Sequence, residues 1–129
     1  MNDQSQAVQV GQHIFVSGQI PADKHGNLVE GSIADKTKAS CEGMKAILEE
    51  AGSSMSKVVK VRGWFLSRVT GKSQLTCWQT TVFLTDMSNF AEMNGMYEQY
   101  FSHKPARSCV AVKELPKGVP VEIECIALS

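Results

Sequence analysis

Excess charge of either sign is missing from this chain. Its 129 residues carry 13 Lys+Arg and 13 Asp+Glu, a formal net charge of zero. Binding along a phosphate backbone needs a basic footprint, which a balanced chain does not offer. Zero net charge also leaves little colloidal repulsion, so self-association is not opposed. Cysteine is sparse and scattered. Cys41, Cys77, Cys109 and Cys125 form no CxxC pair and no His stands near another, which argues against a zinc site. No apolar run reaches the length of a membrane helix, and the first residues lack the charged, apolar and cleavage regions of a secretory signal. A protein of a reducing compartment, cytoplasmic or mitochondrial and without a membrane span, is the expectation. There is no internal repeat, low-complexity tract or linker.

The remaining composition, 43% hydrophobic and 20% charged, is that of one globular domain with a modest core. Ala7 to Ile20, AVQVGQHIFVSGQI, alternates apolar and polar residues about Gly11-Gln12, which reads as a hairpin. Ser32 with Asp35 three residues on gives an acidic capping pattern. Ile33, Thr37, Cys41, Met44 and Leu48 then recur at helical spacing until Gly52. Val58 and Val59 start a strand that resumes as TTVFL. Asp86 or Ser88 caps a second helix with Phe90, Met93, Tyr97 and Phe101 along its buried stripe, and its interior Gly95 suggests close packing. Ser108–Val112 and Val121–Leu128 are the last strands, separated by Leu115-Pro116-Lys117-Gly118, read as a type I turn. The order β-β-α-β-α-β-β predicts an α+β domain, one mixed sheet with two helices on one face.

Several residues carry chemistry that the spacing alone leaves open. Arg107, just after Pro105-Ala106, suits either a salt bridge or a bidentate clamp on a carboxylate. Glu122 and Glu124 share a strand face, either solvated or with one carboxylate orienting water and relaying a proton. Cys109 reads as an apolar filler or a nucleophile, although no helix N-terminus or His supports a thiolate. Ser17, before Gly18, offers a hydroxyl for a ligand or for a strand-end hydrogen bond. Asn94 lies beside the stripe of the second helix, as a structural amide or a ligand contact.

Taken together, SQAVQVGQHIFVSGQIP, AILEEAGSS, TTVFLTDMSNFAEMN and HKPARSCVAVKELPKGVPVEIE resemble the reactive intermediate deaminase family. These proteins are also called Rid, YjgF-like or L-PSP endoribonucleases. The resemblance spans everything but the first few residues and Val61–Gln79. It implies a chorismate-mutase-like fold assembled as a homotrimer with clefts between subunits. It also implies hydrolysis of 2-imino acids to 2-oxo acids and ammonia, without cofactor or metal. By motif, Arg107 would clamp the substrate carboxylate, Glu122 would hold the water, and Cys109 would offer its backbone N–H. Ser17 and Asn94 would line the pocket. The family usually has GPYSQAV at the first strand; here NDQSQAV puts Gln4 where its pocket tyrosine stands. An RNA-cleaving inhibitor of translation and a non-enzymatic metabolite-binding trimer are the competing readings. The neutral charge counts against the first.

Val61–Gln79 departs from the family pattern and holds both tryptophans, Trp64 and Trp78. Deleting it restores VVKTTVFLTDM. Every valine codon begins GT, glutamine can be CAG, and Leu75-Thr76 can be CTNAC, the start, end and branch signals of a short intron. The segment reads as a retained intron or as a genuine lineage insertion. Its β-prone halves about Thr70–Ser73 predict a hairpin with residues 58–69 paired to 74–85.

Overall fold

Turn and cap chemistry set the element boundaries. β1 (Ala7–Val10) and β2 (His13–Gln19) pair antiparallel about Gly11-Gln12, with Gly11 at φ 60°. The computed structural model describes residues 5–58 and 79–129. α1 (Ile33–Glu50) starts with a reciprocal capping box. Ser32 Oγ accepts from Asp35 N–H at 3.1 Å, and Asp35 Oδ2 accepts from Ser32 N–H at 3.0 Å. It ends in a left-handed cap: Gly52, at φ 76°, donates to the Glu49 carbonyl and Ser53 donates to that of Leu48.

β3 (Gln79–Leu84) leads through Asp86, whose carboxylate accepts from Ser88 N–H at 2.8 Å, into α2 (Phe90–Tyr100). Gly95 does not mark close packing as expected. A Cβ built there meets nothing within 4 Å. β4 (Ala106–Ala111) begins two residues earlier than expected, which brings Arg107 into the strand. The 115–118 turn closes with Gly118 N–H donating to the Leu115 carbonyl, but Lys117 has φ 56°. A positive φ at the third position is a type II feature and corrects the type I reading.

Among the described residues, β5 (Val121–Leu128) completes a mixed five-stranded sheet in the order β1-β2-β5-β3-β4, with only β3 and β4 parallel. Val121, Ile123, Cys125 and Ala127 alternate into one core with Ile14, Val82, Met44, Leu48, Met93 and Tyr97. Both helices therefore cover the same face, and the α+β layout is as expected. The other face presents Val8, Val10, Phe15 and Val110, all exposed. Among the described residues no helix is long and apolar enough to cross a membrane.

The expected 58–85 hairpin does not hold where it can be followed. Residues 80–84 have β5 on one edge and β4 on the other, and Val58 bridges to Ala127. The rest of that hairpin, 59–78, lies outside the described residues.

The glycine inside α2 and the glycine that caps α1 should respond oppositely to alanine. Gly95→Ala adds helix propensity in open space and should raise stability by about 1 kcal/mol. Gly52→Ala forces a Cβ into the left-handed region and should lower it by a similar amount. Urea midpoints of the two variants check both signs.

Candidate functional site

One half of the site is built on α2. Phe90, Asn94 and Tyr97 follow at i, i+4 and i+7 and so share a helix face. Arg107 on β4 pairs in register with Thr80 of β3, which directs its side chain to the helix-covered face. Its guanidinium carbon lies 4.8 Å from the Tyr97 ring centroid and 5.4 Å from that of Phe90. Arg107 Nη1 donates to Asn94 Oδ1, and Asn94 Nδ2 donates to Glu98 Oε1 at 2.9 Å. Tyr97 is itself fixed by a hydroxyl–hydroxyl bond to Thr80, and burial pushes its phenol up to about 12. The partners described for Arg107 are thus a neutral amide and two π faces, and none cancels its charge. A cavity of about 630 Å³ opens here, lined by Arg107, Asn94, Tyr97, Glu98 and Lys104.

The other half lies across the sheet. Glu122 faces away from the helices, in register with Phe83. β2 is bulged, because Val16 pairs with Cys125 and Gln19 with Ile123. Ser17 and Gly18 therefore share the place opposite Glu124. A Cβ on Gly18 would collide with the Glu122 carboxyl, so only glycine admits the carboxyl in this position. Burial, with a smaller contribution from the Glu124 charge, holds the Glu122 pKa above the usual glutamate range. Ser17 Oγ donates to the Ser5 carbonyl at 2.7 Å, the strand-end bond rather than an idle hydroxyl. Ser17, Gly18, Gln19, Lys117 and Glu122 line a second cavity, of about 600 Å³.

The five candidate residues thus divide. Arg107 and Asn94 meet directly, whereas Ser17 and Glu122 line a separate cavity, with the Glu122 side chain directed to the opposite face of the sheet from Arg107. One chain does not bring all five into one cleft. Cys109 sits two residues beyond Arg107 on the edge strand, its side chain against the core and its thiol raised by burial. That environment disfavours the thiolate. Cys41 and Cys125 are buried fillers with thiols pushed up to about 12 by burial, and Cys77 lies outside the described residues. Three contributors around Arg107 are not marked as site residues by the sequence, Phe90, Tyr97 and Glu98; Gly18 is noted there beside Ser17, but not as the floor under Glu122. The i, i+4 spacing of Asn94 and Glu98 was the one available signal.

Comparison with known proteins agrees with this frame. Residues 1–70 and 70–129 match the family model described as Endoribonuclease L-PSP. The chain is 37% identical over 127 residues to the 2-iminobutanoate/2-iminopropanoate deaminase of Salmonella typhimurium, covering 95% of this chain and 84% of that protein. The chain belongs to the reactive intermediate deaminase family. Another relative is protein HMF1 of Saccharomyces cerevisiae, 45% identical over 124 residues, which are 95% of this chain and 81% of HMF1. The crystal structure of yeast Mmf1 superposes with a TM-score of 0.83 at 38% identity, covering 100% of this chain and 89% of that one.

Glu122 supplies a pH test. Its raised pKa means that folding favours the protonated acid. The stabilisation is full below the ordinary glutamate value of about 4.3 and is lost as pH rises through the raised pKa. Glu122→Gln should therefore gain stability relative to the parent as pH rises through that window, read from urea midpoints. Gly18→Ala should expel the carboxyl into water and return its titration, followed by carboxyl-carbon NMR, to the ordinary range. An unchanged titration would contradict the described contact.

Proposed function

We propose that this protein deaminates reactive enamine and imine intermediates, hydrolysing 2-imino acids to 2-oxo acids and ammonia. The observation that carries the reading is the Arg107 guanidinium, held over the Tyr97 and Phe90 rings and bonded to Asn94 with its charge uncancelled by those partners. A planar fork of this kind matches one carboxylate bidentately. The family relative named as a deaminase supports the same chemistry.

An imine is already electrophilic, so the reaction needs a placed water and a proton relay. Water adds to the imine carbon while one of its protons passes to the nitrogen, giving a carbinolamine. The hydroxyl proton then passes to the nitrogen, the C–N bond breaks, and ammonia leaves as the carbonyl forms. Glu122, with its raised pKa, is suited to accept each of these protons from oxygen and return it to nitrogen. The Cys109 backbone N–H on edge strand β4 would add a donor, and Ser17 and Asn94 would line the pocket. Because Arg107 and Glu122 lie on opposite faces of one sheet, a cleft holding both needs a second copy. A homotrimer with intersubunit clefts meets that need and covers the apolar face of Val8, Phe15 and Val110. Placement in cytoplasm or mitochondria is part of the same reading; one relative is named MMF1, mitochondrial.

The competing readings are RNA cleavage, suggested by the family model's description, and metabolite binding without catalysis. A freshly generated 2-imino acid and single-stranded RNA, offered to the same preparation, separate the three. Arg107→Lys keeps charge but loses the fork, and should lower kcat/KM about ten- to a hundredfold. Arg107→Ala should lower it further, with the sedimenting trimer intact. Near-parental turnover in an intact Arg107→Ala trimer, or a monomer at micromolar concentration, would overturn the proposal.

The pairing on either side of the segment supports an interrupted strand, which fits both a retained intron and a genuine insertion. Val58 pairs with Ala127, Gln79 begins β3, and Thr80 pairs with Cys125. One strand position, opposite Ile126, separates Val58 from Thr80, although residues 59–79 intervene in the chain. We infer that the chain on either side of 59–78 is one interrupted strand. Without Val61–Gln79, Val59 takes the place opposite Ala127, and a valine still fills the core. The shortened chain should fold with at least the parent's stability, and spliced message should encode it. Message that always retains the segment, or a shortened chain that fails to fold, would count for a genuine insertion.

A further inference from the structure

Glu98 has no assigned role, yet it ends a chain of polar contacts that begins at Arg107. The guanidinium donates to Asn94 Oδ1, and Asn94 Nδ2 donates to Glu98 Oε1 at 2.9 Å. These assignments follow from chemistry. A guanidinium only donates and a carboxylate only accepts, so the amide must turn its oxygen to Arg107 and its nitrogen to Glu98. Glu98 lies four residues after Asn94 on α2, where side chains meet. Both line the cavity beside Arg107.

We propose that Glu98 is a positioning residue for Arg107: by taking the Asn94 amide N–H, its carboxylate obliges the amide oxygen to face the guanidinium. The proposal rests on the reading of Arg107 as the carboxylate clamp. Its physical content lies in the competition that a bound anion sets up. With no acceptor at position 98, a substrate carboxylate beside Asn94 would draw the amide nitrogen toward itself and break the Arg107–Asn94 bond. With Glu98 engaged, the nitrogen is held and the oxygen stays on Arg107. One guanidinium N–H is then committed to the protein, and the remaining donors are left for the substrate fork. An amide also anchors the guanidinium without neutralising it, which a carboxylate at position 94 would not do.

The test is a series at position 98, read as KM for a 2-imino acid, in an assay where Arg107→Lys and Arg107→Ala are measured alongside. Glu98→Gln keeps an acceptor and should stay within about twofold of the parent. Glu98→Ala leaves the amide undirected and should raise KM about three- to fivefold with kcat little changed. Glu98→Lys can only donate, so it turns the amide oxygen toward itself and sets a donor against Arg107. KM should rise about tenfold or more. Plain electrostatics predicts the reverse, since an added cation attracts an anionic substrate. In an Asn94→Ala background the position-98 substitutions should have no further effect, because the element through which Glu98 acts is gone.

A parental or lowered KM in Glu98→Lys, with Arg107→Lys impaired, overturns the positioning role and leaves the clamp standing. An undiminished effect of Glu98→Lys in the Asn94→Ala background overturns it as well. Parental activity in Arg107→Ala overturns the clamp itself and the role of Glu98 with it.

Discussion

Every second side chain of β5 is buried under the two helices, and a pleated strand cannot bury the intervening ones on the same side. Val121, Ile123, Cys125 and Ala127 therefore fix which way Glu122 and Glu124 point. A slip of one residue would drive both carboxylates into the core, at several kcal/mol apiece. The register of β5 is thus strongly set, and it sets its neighbours. β2 accommodates it with the bulge at Ser17-Gly18, and β3 follows it from Thr80 to Leu84. β4, in parallel register with β3, then carries Arg107 to the helix side.

Two charged groups are treated in opposite ways by this frame. Arg107 is held by rings and an amide, which position it and leave its charge. Glu122 is partly withdrawn from water over a bare glycine, which raises its pKa. A fixed cation and a carboxyl that readily holds a proton are the two parts that the proposed imine hydrolysis would use. The sheet directs them to opposite faces within one chain, so the proposed activity would depend on assembly.

Residues 59–78 enter at a place where the ladder resists disruption. β5 holds the chain on both sides, at Ala127 and at Cys125. The entry point is also close to the site. Thr80, which anchors Tyr97 beneath Arg107, follows Gln79 directly.

Periodicity and local turn chemistry were written in the sequence. The 3.6-residue stripes of both helices, the alternation of VEIECIAL, the Ser32–Asp35 box and the Gly52 cap each depend on residues a few positions apart. The motifs around Arg107 and Glu122 marked candidate site residues by resemblance, again from residues a few positions apart. What lay beyond the sequence depends on distant segments. The Lys117 backbone is left-handed despite its side chain, and Gly95 is open rather than packed. Gly18 matters because Glu122 arrives over it from another strand. Tyr97 and Glu98 matter because β4 delivers Arg107 onto their helix. That Arg107 and Glu122 stand on opposite faces follows from strand order and register, which no local pattern encodes. The sequence by itself determined which residues would be helix, strand and candidate site; the tertiary structure alone decided which of them meet, because pairing across the sheet is set by long-range burial.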